Sequence, residues 1–251
     1  MEKRHFNSKR KCWKMKKNVL FILLALMVLL PSQAFSWTWT PLQVSIWEPV
    51  QLFPEKFDVY GMRLNLGYGS NQNLTGLDVG AVNVITDKQR GGQLGLINLS
   101  EYSLGVCAGG MNYTTKLRGG QVGLLNTAQD SLVGLQVAGF INLSDHVKGM
   151  QMVVLFGNGA VQVDGAQVVL VGYNLTDYVN GVQASVFGFN YANESVYGMQ
   201  FAMFYNYAKN LNGLQLGLVN ACESLSGVQI GLVNIIWQEK MSIMPLVHFN
   251  F

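Results

Sequence analysis

Nine glutamines recur at matching positions along the chain: Gln93, Gln121, Gln136, Gln151, Gln167, Gln183, Gln200, Gln215 and Gln229. Arg63 and Asp78 fall in the same phase. A belt of amides can line a lumen and bind a polar solute, or the amides can hydrogen-bond one another and the backbone and so satisfy a polar interior. A residue required in almost every repeat points to the second, architectural role. Arg63 and Asp78 occupy equivalent positions of neighbouring repeats, so a cross-strand ion pair is expected between them.

The remaining reactive side chains are isolated. His146 and His248 have no Ser/Asp partner set and no HxxxH spacing, so neither triad nor metal chemistry applies. Cys107 and Cys222 sit in different repeats without CxxC or Cys/His spacing, and no metal or cofactor is expected. Glycines recur inside strand-like segments, whereas a phosphate-cradling loop lies between a strand and a helix. The N-x-S/T triplets at Asn73, Asn98, Asn112, Asn142, Asn174 and Asn193 follow from Asn preceding a Ser- or Thr-bearing turn.

The positioning elements are repeats. Aligned on the glycine that opens each phrase, the sequence has twelve units, at Gly61, Gly76, Gly91, Gly105, Gly119, Gly134, Gly149, Gly165, Gly181, Gly198, Gly213 and Gly227. The steps are 14 to 17 residues. Within GLQLGLVN, Leu214, Leu216 and Leu218 alternate with Gly213, Gln215, Gly217 and Val219, the period-two signature of a strand. Polar links such as LSDH (143–146), YANE (191–194) and ACES (221–224) have hairpin size. From the closing Asn to the next Gly the distance is seven or eight residues, whereas from Gly to Asn it grows from seven to nine and shrinks again. That drift argues for an antiparallel meander, which absorbs it through bulges, over a stacked solenoid, whose coils must match.

Residues 1–17 carry eight Lys or Arg and one Glu, and precede the apolar run Val19–Leu30 and then PSQAFS. The layout is that of a signal peptide spanning 1–34, with Ser32 and Ala34 at the cleavage site and Met15 an alternative start to Met1. Removing it takes eight of 17 basic and one of 14 acidic residues, leaving 9 against 13, about −4. The pI of 8.7 therefore belongs to the leader and gives no case for nucleic-acid binding. Residues 35–60 are expected to form an N-terminal segment with the first strand in WTPLQVSIW, and 61–251 the repeat domain.

The chain ends SIMPLVHFNF, with Ile243, Pro245, Val247, Phe249 and Phe251 on one face. This resembles the closing strand of bacterial outer-membrane β-barrels, and the resemblance implies that Phe249 and Phe251 are read by the barrel-assembly machinery. The phrases over 61–234 also resemble a family of bacterial surface proteins built from tandem G-x-Q-x-G-x-x-N units. That resemblance implies an envelope location and no particular activity; Arg63, Asp78 and Cys107 depart from its Gln position. The charges Asp87, Lys88, Glu101, Asp130, Asp145, Asp177, Glu194, Lys209 and Glu223 all lie in links, as lipid-facing strands require.

The expectation is therefore an all-β, non-enzymatic outer-membrane protein on a bacterial surface. It would be an antiparallel up-and-down barrel of about 14 strands in contact with membrane lipid, with the eleven phased residues facing a narrow, porin-like lumen. The alternative is a surface-displayed β-solenoid or repeat sheet acting as a binding module. No sequence feature fixes a solute or an oligomeric state.

Overall fold

The computed structural model describes residues 38–47, 49–237 and 242–251. The expected signal peptide and its cleavage site lie outside the described residues. The described chain is all-β, in the order β1 (Trp39–Trp47), β2 (Val50–Gln51), β3 (Asp58–Asn71), β4 (Leu74–Ile236) and β5 (Ser242–Asn250). β4 is not one extended strand. Its β-conformation continues round a coil that stacks on itself every 14 to 17 residues, so hydrogen-bonded partners stand one repeat apart.

The pairing direction overturns the barrel. β1 runs parallel to β3, and β3 runs parallel to the first coil of β4, with Gly61 opposite Gly76 and Arg63 opposite Asp78. Each phrase therefore lies beside the same phrase one repeat on, pointing the same way. An antiparallel meander would reverse every second phrase, and no such reversal occurs within β4. The fold is a β-solenoid, and its inward positions form a packed interior in place of a lumen.

One column explains why the turn can be made at all. The phrase-opening glycines have φ between +115° and +151°. A Cβ at any of them would sit 1.9 to 2.3 Å from the carbonyl oxygen of the residue below, which is Pro41 for Gly61 and the previous opening glycine for the others. Only glycine tolerates both the dihedral and the approach. Twelve such residues in register, at about 4.8 Å per coil, make a column roughly 50 Å long.

The drifting period, which favoured a meander on sequence grounds, fits the stack because it changes gradually. The Gly-to-Asn arc is seven residues at Gly119, eight at Gly134, and nine at Gly149, Gly165 and Gly181, then eight at Gly198 and seven at Gly213. Each coil differs from its neighbour by at most one residue in this arc. The added residues form a bulge column of their own: Phe156 (φ 75°) lies under Gly172 (φ 137°), which lies under Gly188.

Two antiparallel pieces finish the ends. β2 folds back on β1 at Ser45 and Trp47, while β5 runs antiparallel along the last coil, from Gly227 opposite Asn250 to Ile236 opposite Ser242. A parallel stack leaves an unpaired edge at each end, and these segments cover it. Pro245, which lacks an N–H, lies in β5 on the outer edge strand, where proline is tolerated.

Candidate functional site

Several columns of residues point inward, among them small or apolar side chains two after the closing asparagine, such as Ile85, Ala128, Ala192 and Ala208. The residue two before the opening glycine is usually apolar and buried, as with Leu74, Leu117, Leu132, Val163, Val179 and Leu211. Two further columns are amides. The glutamine column begins one coil earlier than the sequence periodicity suggests, because Gln43 stands in register over Arg63. It continues through Asp78, Gln93, Cys107 and the glutamines from Gln121 to Gln229; the column residues from Gln43 to Gln229 are buried, and it ends opposite His248.

From Gln136 to Gln229 each Nε2 donates to the Oε1 of the glutamine one coil nearer the N-terminus, ending on Gln121, at 2.7–3.1 Å over seven links. Additional bonds from Gln121, Gln200 and Gln215 Nε2 to main-chain oxygens fix which end of each amide carries the hydrogens. Cys107 interrupts the ladder: its Sγ lies 3.4 Å from Gln93 Oε1. Gln93 Nε2 then donates to Asp78 Oδ2 at 3.3 Å, so a run of donors ends on a carboxylate.

That carboxylate is held by the expected ion pair. Arg63 Nε donates to Asp78 Oδ1 at 2.8 Å and Nη2 to Oδ2 at 2.5 Å, with both side chains fully buried. Asn65 Nδ2 adds a bond to Asp78 Oδ1 at 3.0 Å, and Arg63 Nη1 is satisfied by Asn71 Oδ1 and the Val84 carbonyl. A bidentate pair with both Nη1 hydrogens also bonded is an arrangement that makes burial of two charges tolerable. Removing one partner of such a pair costs about 3–5 kcal/mol.

The second ladder is formed by the closing asparagines, for which the sequence suggests no role beyond preceding a turn. Asn83, Asn98, Asn112, Asn126, Asn142, Asn158, Asn174, Asn190, Asn206, Asn220 and Asn234 are all buried. Each of the first ten donates from Nδ2 to the Oδ1 of the next, as from Asn158 to Asn174 at 2.8 Å. Each also donates to a main-chain oxygen of the next coil, as from Asn174 to Ala184 at 3.0 Å. The two ladders therefore run in opposite senses: glutamine donors point toward the first coil and asparagine donors toward the last.

The outside inverts the usual arrangement. From Gly76 to Asn234 the Gly-to-Asn arcs contain one charged residue, the buried Asp78. Their outward side chains are apolar and exposed: Leu96 is 69 % exposed, Leu124 52 %, Phe156 57 % and Leu232 62 %. The links carry the charge. Between residues 84 and 226 they hold eight Asp or Glu and six Lys or Arg among some exposed apolar side chains such as Leu143 and Leu175, so that side of the rod carries the charge and is close to neutral.

No known family, curated protein or solved structure matches this chain.

The eleven phased residues come together in one buried interior column, where the amides bond chiefly to one another and line no lumen. Phe249 and Phe251 lie on and just beyond β5, 67 % and 92 % exposed. With the barrel overturned, β5 caps the last coil and closes no cylinder. His146 is exposed in a link, while His248 is buried opposite Gln229, six coils away or roughly 29 Å. Burial lowers the pKa of His248 and favours its neutral form. His248 Nδ1 and Gln229 Oε1 are both buried without a hydrogen-bond partner, which marks the C-terminal end of the ladder. Cys107 and Cys222 are buried free thiols.

Proposed function

We propose that the protein is an exported, surface-displayed β-solenoid of a bacterium that acts as a non-catalytic interaction module. The binding element is the outward apolar sector formed by the Gly-to-Asn arcs. The observation that carries this reading is the inversion of polarity: amides that could recognise a solute are consumed internally, while exposed Leu, Val, Met and Phe cover one sector of the rod. Contiguous apolar patches on soluble monomers seldom exceed a few hundred Å², and larger ones mark contact sites. A column about 50 Å long and several side chains wide exceeds that scale.

The leader-like N-terminus and the resemblance to tandem-repeat surface proteins support export. In this reading the interior ladders are structural, and their role is to hold twelve copies of the same outer surface in register.

Expression in a bacterial host, followed by surface proteolysis and salt washing, tests the proposal. The wild-type chain is expected at the cell surface and resistant to release by salt. A variant with Leu124→Lys and Phe201→Lys, both on the outward sector, is expected to wash off while keeping its β-type circular dichroism. Wild-type chain confined to the cytoplasm, or equal retention of the two proteins, would refute the reading.

A further inference from the structure

Resting on the interaction-module reading, we infer that the occupant of the apolar sector is the interfacial layer of a lipid bilayer. The rod lies along the membrane surface with its Gly-to-Asn arcs among the acyl chains and its links in water.

Shape favours lipid over a second copy. The arcs take up seven to nine of the 14 to 17 residues of a coil, so the apolar sector bends round about half of the perimeter. A rigid flat partner covers one side of such a surface. The arcs also change length along the rod, being longest at Gly149, Gly165 and Gly181, where the bulge column at Phe156, Gly172 and Gly188 is added. Two copies laid face to face would have to match that change coil by coil. Acyl chains adapt to it without loss.

Chemistry points the same way. The outward arc positions hold no charged or amide side chain, so they offer little of the directional polar recognition that a specific protein partner uses. The borders of the sector carry side chains suited to a water–lipid boundary. Exposed Arg90, Arg118 and Lys148 each immediately precede an opening glycine, a position that Asp164 and Asn180 hold in other coils, and exposed Tyr113 and Tyr191 each immediately follow a closing asparagine. Arg and Lys extend apolar stems with charged tips, and tyrosine presents a ring with a polar end, as interfacial residues do. The near balance of link charges, eight acidic against six basic, makes attraction to anionic headgroups a minor contribution.

The test uses the full chain and phosphatidylcholine vesicles whose acyl chains carry a photoreactive diazirine, with cross-links mapped by peptide mass spectrometry. Mapping is needed because the apolar run Val19–Leu30 could itself enter lipid. Cross-links are expected in the arcs 149–158 and 198–206, sparse in the links 209–210 and 223–224, and unchanged between about 0.1 and about 1 M salt. Val154→Glu with Phe201→Glu, both at exposed positions, should lower arc cross-linking at least tenfold with circular dichroism unchanged. Lipid cross-links confined to residues 1–37 or to the links would overturn the assignment, as would arcs cross-linked only to another copy of the chain. If the arcs fail to label while sector-dependent surface retention persists, the lipid assignment falls and the interaction module stands. Loss of both results removes both.

Discussion

Replacing Asn174 tests whether the interior amides hold the coil together or merely fill it. Its Nδ2 donates to Asn190 Oδ1 at 2.8 Å and to the Ala184 carbonyl at 3.0 Å, and its Oδ1 accepts from Asn158 Nδ2 at 2.8 Å. Truncation by Asn174→Ala removes three hydrogen bonds at about 1 kcal/mol each, and leaves Asn190 Oδ1 buried without a donor for about 1 kcal/mol more. The expected loss is about 3–5 kcal/mol. Asn174→Leu separates the causes, since it restores most of the volume and none of the bonds. If satisfaction of polar groups is what matters, leucine should still cost about 2–4 kcal/mol.

A stacked repeat protein need not unfold in one step, so the assay must read the affected coils. Native-state hydrogen exchange resolves amides in 158–190 from those in 91–119. A loss of about 3 kcal/mol corresponds to roughly a hundredfold loss of protection, since each 1.4 kcal/mol is about tenfold. The effect should be concentrated in the coils adjoining Asn174. Exchange in Asn174→Leu within about twofold of wild type would show that the ladder contributes shape alone, and would refute the reasoning.

The opening glycines and the thiols give two further outcomes. Gly165→Ala, at φ +144° with its Cβ 2.0 Å from the Gly149 oxygen, should cost about 3 kcal/mol or more in urea unfolding. Gly120→Ala, whose Cβ would lie 3.7 Å from its nearest neighbour, should stay within about 0.5 kcal/mol of wild type. Burial pushes the Cys107 thiol up to about 11 and the Cys222 thiol up to about 12 from 9.0, so the fold favours the neutral form. Their contribution to stability is full below pH 9.0 and is lost as pH rises through about 11 and 12, which thermal unfolding against pH should show. Peptide-resolved alkylation near pH 8 should leave both thiols unmodified until the chain is unfolded.

Much of this arrangement is legible in the sequence. The glycine alignment locates all twelve corners, the phase of Arg63 and Asp78 locates the buried ion pair, and the confinement of charge to the links locates the polar side. Direction was not legible from alternation, because a period of two describes parallel and antiparallel strands equally well. The decisive signal was the pairing of two columns. Gln and Asn recur at a nearly fixed offset within each phrase, and only parallel stacking lets both make continuous ladders. In a meander, a shared glutamine level would send successive asparagines to opposite ends of the sheet. Explaining the N-x-S/T triplets by the turn that follows them leaves the asparagine itself without a role, although a residue beside a corner can still turn its amide inward. Gln43 escaped the alignment because WTPLQVSIW lacks the opening glycine; Pro41 takes the place below Gly61.

The opposed sense of the two amide ladders bears on how long such a rod can grow. Aligned peptide dipoles in an α-helix add up to about half an elementary charge at each end. Here every glutamine dipole pointing one way along the axis is accompanied by an asparagine dipole pointing the other way. Successive coils thus add little polarisation, so electrostatics sets no preferred length. A repeat could be duplicated or lost in evolution without altering the field at either cap.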